Sequence, residues 1–517
     1  MVTGMGSRSA KHSQKGASVR HGMPKWFEFV LLLVILGIVA WLVLPVFMPA
    51  GSSSLGAIGD SNATVAIGLK GAPQSLDVRS ANNPAADRIL IGNVYEGLTG
   101  RTNDNKVTPA LASGWTVSDN GTTYTFTLRN ADFSNGDAVT AQDVAWSFQQ
   151  LLAHKYPGYE KLSVLNSVRT PDSTTVVLTL LHPDQQLLWE LSGRAGLVFD
   201  EKAGDTGSNV PGSGPYTVAS CADNGITLRR NNYYWGVKPH FKTIMLNYFT
   251  DSTAETIALK AGKIQGAIDL DAADAASLQS SGKYTVTSGT TTTVVTLMFN
   301  ANPDSLMSDY QAREAMRLMI SRPQVVAAAG GLGTPLGGPV TSLDPGYQDL
   351  NAQFPTDVQL GREKFNYYYT RAYTLAYTNA VPQAVADSVV SQIEAAGWKV
   401  TPYHISDAQW DTNVVQNMRY DMVLYVHHGS HDLGYWTTGS NWWGFDSPVA
   451  DQQYTAAIQS TDENAYEQGL RAAALTLASK QPADWLYQVN VRSAWDSNLT
   501  GMPTNMTDDW LPLGSLK

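Results

Sequence analysis

The sequence predicts a mixed α/β fold exported behind an N-terminal membrane segment. From residue 64 onward, short β-rich runs alternate with amphipathic helical stretches, as in folds where strands and helices interleave. Ahead of them a basic start leads into a long apolar run at residues 26–47. The chain of 517 residues has one cysteine, Cys221, so no internal disulfide can form and the folded part stands on its core. A hydrophobic content of 43% in a chain this long is enough for such a core.

The N-terminal elements come first. Residues 1–25 carry Arg8, Lys11, Lys15, Arg20 and Lys25 and no acid, a charge of +5 that leaves −15 on the remainder of a chain whose net charge is −10. A remainder that acidic is a poor candidate for gripping nucleic acid, because phosphate binding needs Lys and Arg. The run "WFEFVLLLVILGIVAWLVLPVF" has no charge between Phe29 and Leu44. It approaches the roughly 20 residues of a membrane span. Trp26 and Trp41 suit an interfacial position, and the upstream cations put the N-terminus in the cytoplasm. Met48 stands at the −3 place before Ala50, where cleavage wants a small residue, and no cysteine lies close behind to take a lipid. An uncut anchor is therefore expected. "AGSSSLGAIGDSNA" then reads as a flexible tether.

The folded part opens with "TVAIGLK" as a first strand, and "GTTYTFTLRNADF" alternates Tyr124, Phe126 and Leu128 as half-buried strand residues. In "TAQDVAWSFQQLLAHK" Thr140 caps a helix, Asp143 sits in its first turn, and Val144, Phe148, Leu151 and Leu152 share one face. "TTVVLTLL", "YTVAS" and "GITLRR" are further strands. Residues 308–321 form a helix with Ala312, Ala315, Met316 and Met319 on the packed side. "PQAVADSVVSQIEAAGWKVTPYHI" is a helix closed at Gly397 and followed by a strand. "YDMVLYVHH" is a strand whose C-terminal end delivers the loop "HHGSHDLGYWTTGSNWWGF".

That loop concentrates the chemistry. It holds three histidines, three tryptophans and a tyrosine, with neither helical nor strand periodicity. Open α/β sheets bind ligands at strand ends, where this loop lies. Adjacent residues on a strand point to opposite faces, so one of His427 and His428 should face a cleft and the other the core. The same alternation weakens convergence of His427, His428 and His431 on a metal ion. Signatures of catalysis are missing: there is no G-x-S-x-G, H-E-x-x-H or G-x-x-x-x-G-K-[ST], and "GGLGTPLGG" fails the dinucleotide spacing and reads as a turn.

A family resemblance runs through these elements. Ser75-Leu76-Asp77, Tyr95-Glu96-Gly97-Leu98, Pro109-Ala110-Leu111-Ala112 with Trp115, and Phe126-Thr127-Leu128-Arg129 open the series. Phe133-Ser134-Asn135-Gly136 and Thr140-Ala141-Gln142-Asp143-Val144 continue it, followed by "GSGPYTV", "NNYYWG", "AGKIQGAID" and "LMFNANPDSLMSDYQAREAMRLMISRPQVV". From about residue 64 to the C-terminus the chain resembles the family 5 extracellular solute-binding proteins, the binding subunits of peptide- and nickel-type ABC importers.

The resemblance implies a two-lobed clamp of periplasmic-binding-protein type (type II, in its large three-subdomain form), with the membrane segment in front. The chain then divides into a basic cytoplasmic tail at 1–25, a transmembrane anchor or signal at 26–48 and a linker at 49–63. The main domain of the first lobe takes 64–100, 213–300 and 489–517, its accessory subdomain 101–212, and the second lobe 301–488. In peptide-binding members a Trp-centred segment after the second-lobe strand ends in an Asp that pairs with the peptide ammonium. Here Val426 and His427 hold the Gly-Trp places and Ser430 holds the Asp place, with Asp432 two residues later able to replace it. The ligand-binding set expected on this reading is Asn300, His427, His428, Ser430, Asp432, Tyr435, Trp436 and Trp443. "GREKFNYYYTRAYTL" also departs from the family, and its three tyrosines belong either to the core or to the cleft. The expected function is capture of an oligopeptide or peptide-like solute outside the membrane by a monomeric ectodomain, for delivery to ABC permease subunits, without cofactor or catalysis. A metal chelate as ligand, a ligand-sensing subunit and a metal-dependent hydrolase are the alternatives.

Overall fold

The computed structural model describes residues 62–204, 210–365, 372–437, 441–507 and 510–517. The basic tail, the apolar run at 26–47, nearly all of the tether and Tyr367, Tyr368 and Tyr369 lie outside the described residues. Among the described residues no helix is long and apolar enough to cross a membrane.

Seventeen strands are described. In chain order they are β1 (Thr64–Lys70), β2 (Thr99–Arg101), β3 (Val107–Pro109), β4 (Ala112–Val117), β5 (Thr123–Leu128) and β6 (Leu165–Arg169). Next come β7 (Thr175–Leu180), β8 (Tyr216–Ala222), β9 (Gly225–Arg230), β10 (Thr243–Phe249), β11 (Gly266–Ile268) and β12 (Tyr284–Phe299). The last are β13 (Gly333–Pro335), β14 (Tyr373–Tyr377), β15 (Val400–His404), β16 (Met422–His428) and β17 (Ala483–Asp496). β13 falls within the glycine-rich stretch expected to be only a turn; it pairs with β17.

The large sheet runs β15-β14-β16-β12-β17-β11-β1-β10-β9-β8, while β4-β5-β7-β6 and β2-β3 form two small antiparallel sheets. β12 and β17 are long enough to serve both halves of the large sheet. Residues 284–290 of β12 pair with 496–490 of β17 in the half that carries β11 and β1, and residues 294–298 pair with 488–483 in the half that carries β16. The register breaks between Thr290 and Val294, so the two halves are joined through an irregular waist. These halves are the two lobes of a mixed α/β fold.

Alternation along the strands sends side chains into separate cores. Val295, Leu297 and Phe299 of β12 enter one second-lobe core, whereas Val294 and Met298 enter the core on the other face. Ile67 of β1 and Leu246 of β10 pack beneath the helix Pro84–Leu90 in the first lobe. A further core lies between β5, β7 and the helix Ala141–His154. That helix begins as its sequence dictates: Thr140 and Asp143 form a reciprocal capping box. Gly397 ends the later helix with φ of 112°, a conformation a side chain would strain.

One close approach brings the C-terminal segment to the waist. A Cβ on Gly289 would come within 1.6 Å of the Thr504 carbonyl oxygen, so only glycine lets the segment cross β12 there. The crossing is fixed by Met506 N–H donating to the Thr290 carbonyl at 2.9 Å and by Asn505 Oδ1 accepting from Thr290 N–H at 3.0 Å.

Candidate functional site

A cavity of about 400 Å³ opens at this waist, within the size range of small-molecule sites. Thr291, Thr293 and Val295 of β12, Tyr487, Val489 and Val491 of β17, and Val426 and His428 of β16 form its strand walls. The first lobe contributes Arg88 and Asp269, and the crossing segment contributes Met506 and Thr507. Most of this wall is apolar, with a few polar groups at fixed points.

The polar groups are placed by local structure. Arg88 occupies the last turn of the helix Pro84–Leu90. Its Nη1 lies 3.4 Å from Asp269 Oδ2 and its Nη2 lies 3.0 Å from Met506 Sδ. Asp269 follows β11 with φ of +66°, an unusual conformation for a non-glycine residue that turns the chain at the cavity edge. His428 Nδ1 is 3.3 Å from Thr293 Oγ1 across the β12–β16 ladder. The Thr507 hydroxyl is buried with no hydrogen-bond partner among the described residues. Behind Asp269, burial pushes the Glu255 carboxyl up to about 8.

Of the residues expected from sequence, His428 lines this cavity and the others lie elsewhere. His427 turns into the second lobe, its Nε2 2.9 Å from Asp432 Oδ2 and its ring 4.5 Å from Tyr435 and 5.1 Å from Trp436. Asp432 is thus paired with a histidine of its own loop, beside a crevice of about 10 Å³, room for roughly one water. The placement differs from a free amine anchor because the carboxylate is turned back onto His427 of β16. Trp436 and Trp443 are buried at 1% exposure with Trp485, as packing of the second lobe. Tyr435 accepts from Trp442 Nε1 at 3.2 Å. Asn300 Nδ2 donates to the Tyr420 carbonyl at 2.9 Å, tying the far end of β12 to the segment before β16.

Ser430 and His431 meet the first lobe's accessory region. Ser430 Oγ accepts from Asn105 Nδ2 at 2.6 Å and donates to the Asp344 carboxylate. His431 stacks on Trp189 with ring centroids 4.4 Å apart and an interplanar angle of 11°. Burial, then the charges of Arg101, Lys106 and Lys161, hold its imidazole well below the usual value. Asp344 also accepts from Thr341 Oγ1 and from His431 N–H, yet burial pushes its carboxyl up to about 6. The three histidines therefore diverge, and among the described residues no group of three or more metal-ligating side chains assembles.

Sequence reasoning missed Arg88, Asp269, Thr291, Thr293, Tyr487, Met506 and Thr507. One signal was available: four consecutive threonines, residues 290–293, precede the apolar end of a long strand at the cavity.

Residues 106–447 match the family model described as bacterial extracellular solute-binding proteins, family 5, middle. The probable D,D-dipeptide-binding periplasmic protein DdpA of Escherichia coli (strain K12) is 31% identical over 229 residues, 40% of this chain and 42% of that protein. The nickel-binding periplasmic protein of the same organism is 32% identical over 182 residues, 33% of this chain and 35% of the relative. Matches to the curated relatives span about half or less of their length. NikA from Brucella suis in complex with Fe(III)-EDTA superposes with a TM-score of 0.78 at 18% identity, covering 88% of this chain and all (100%) of that one. That likeness is one of fold.

Proposed function

Because the chain belongs to the bacterial extracellular solute-binding proteins of family 5, we propose that it captures a peptide or peptide-like solute outside the cytoplasm and presents it to the permease of an ABC importer. The observation that carries this reading is the waist cavity: strands of both lobes wall it, and its few polar groups line one open space. The register break in β12–β17 supplies the place where the lobes bend to open and close it. His428 touches the solute from the second lobe, while Asn300, His427, Ser430, Asp432, Tyr435, Trp436 and Trp443 hold its strand and loop in position. The protein works by binding, without chemistry on the solute. The basic start and apolar run at 26–47 support a tether in the membrane, with one folded ectodomain outside and no nucleic-acid partner.

Native mass spectrometry of the purified full-length protein in detergent tests this. A co-purified peptide or peptide mixture is the expected result, and conversion of that solute by the protein would overturn the reading. His428 at the cavity favours one second reading, a metal chelate held by an imidazole. A retained metal complex would decide for it.

A further inference from the structure

We infer that Asn105, Gln185, Gln186 and Trp189 of the first lobe clasp the second lobe at rest, so that they set how fast a solute enters and leaves but not how tightly it is held. This rests on the reading of the waist cavity as the solute site.

Asn105 is shaped for the opposite lobe rather than for its own. It stands between β2 and β3 with φ of +60°, a left-handed conformation that asparagine visits more readily than most residues. It is 1% exposed. Among the described residues, the partners of its Nδ2 all lie in the second lobe: the Leu343 carbonyl at 3.3 Å, Asp344 Oδ1 at 3.1 Å and Ser430 Oγ at 2.6 Å. Its Oδ1 accepts from Trp189 Nε1 at 3.1 Å, which fixes the amide and also the indole that stacks on His431. Buried polar groups need partners. These donors find theirs in the protein while the lobes are together.

Gln185 and Gln186 extend the contact through the segment before the short helix Leu187–Glu190. Gln185 N–H donates to the Ile458 carbonyl at 2.9 Å, and its Nε2 donates to the Ser460 carbonyl at 2.8 Å. Gln186 Nε2 donates to the His431 carbonyl, and its Oε1 accepts from the Tyr454 hydroxyl at 3.3 Å. Three stretches of the second lobe are thus held directly, protein to protein. The crevice left beside Gln186, Asp344 and His431 is about 10 Å³, so the faces are packed nearly to contact. Among the described residues that line the waist cavity, none belongs to this clasp.

That separation decides what the clasp can do. A ligand shifts an equilibrium only by what differs between the states it compares. Bonds made in the closed protein both with and without solute cancel from the affinity. They do not cancel from the rates, because a solute passes in or out only when the lobes part. Each passage breaks these bonds first, so weakening them speeds entry and exit by a similar factor.

The test uses full-length protein in detergent, stripped of solute and offered a random tripeptide library, with loading and unloading followed in time by native mass spectrometry. Asn105→Ala and Gln186→Ala should each load and unload about tenfold faster, the effect of losing a few hydrogen bonds, at an unchanged dissociation constant. Small-angle scattering should give the stripped parent the radius of gyration of the loaded parent. A stripped parent that expands, or variants that lose affinity while loading at the parental rate, would overturn the inference, since the clasp would then form only around a solute. Parental rates in both variants would overturn it as well. Retention of no library peptide would instead overturn the peptide reading. Scattering from stripped protein still decides on the clasp in that case: an Asn105→Ala/Gln186→Ala double variant larger than the parent supports it, and identical radii refute it. Melting temperatures show that each variant is folded.

Discussion

Trp189 and His431 lie face to face, with ring centroids 4.4 Å apart, and so join the accessory region of the first lobe to the loop after β16 in the second. Arg101 lies over the same indole at 4.4 Å, and Asn105 reaches Asp344 and Ser430 alongside. The contact closes the lobes at a point away from the waist cavity. Trp189→Ala removes an aromatic pair worth about 0.5–1.5 kcal/mol beyond its buried area. Small-angle scattering should therefore report a larger radius of gyration for the solute-free variant than for the parent. An unchanged radius would show that the stack does not help to hold the lobes together.

Asp344 makes that junction pH-dependent. Its folded-state carboxyl stands at about 6 against an ordinary 3.8, chiefly through burial. The native state thus keeps a proton that the unfolded chain releases. The stability from this group is fully present below pH 3.8 and is lost as pH rises through about 6. Asp344→Asn should flatten the fall in melting temperature between about pH 4 and 7. Parallel melting curves for variant and parent would rule this out.

His428 and Asp432 should separate binding from stability. His428 is exposed to the waist cavity, so His428→Ala should weaken retention of the co-purified solute by about tenfold, with little change in melting temperature. Asp432→Asn removes the charge from the 2.9 Å contact with His427. It should lower stability by roughly 1 kcal/mol and leave affinity nearly unchanged. Calorimetry paired with denaturant unfolding reads both quantities. The reverse pattern would restore Asp432 as the solute's anchor.

A deeper charge cluster should control folding alone. Asp484 is fully buried, with Arg322 Nη2 at 2.7 Å and Arg317 Nε at 3.5 Å. Asp484→Ala leaves two enclosed guanidinium groups without their carboxylate and should cost about 3–5 kcal/mol. Urea unfolding measures this, and a loss below about 1 kcal/mol would mean that backbone carbonyls carry the pair unaided.

What was legible in the sequence was local. β1 and the helix Ala141–His154 with its Thr140 cap follow from periodicity and capping, which act within a few residues. Alternation on β16 required His427 and His428 to part, and they do, one to the core and one to the cavity. The loop tryptophans were ambiguous, since burial in a lobe and roofing a ligand use the same residue type. Arg88 and Asp269 were invisible for a different reason. They lie far apart in sequence, on a short helix and after a three-residue strand, and meet only because β1 pairs with β11. No pattern within a window carries such a meeting.

The pairing of β17 with β12 also sets an order of events. β17 lies between β12 and β11 and reaches partners about two hundred residues earlier in the chain, so the central sheet is assembled from contacts of very high sequence separation. Until residue 496 has left the ribosome, both neighbours of β17 keep open edges and neither lobe's sheet is complete. A nascent chain cannot lock into its final form while residues 483–496 are still being made. Late locking of this kind leaves a polypeptide threadable, the condition for passage through a translocation channel before it folds on the far side.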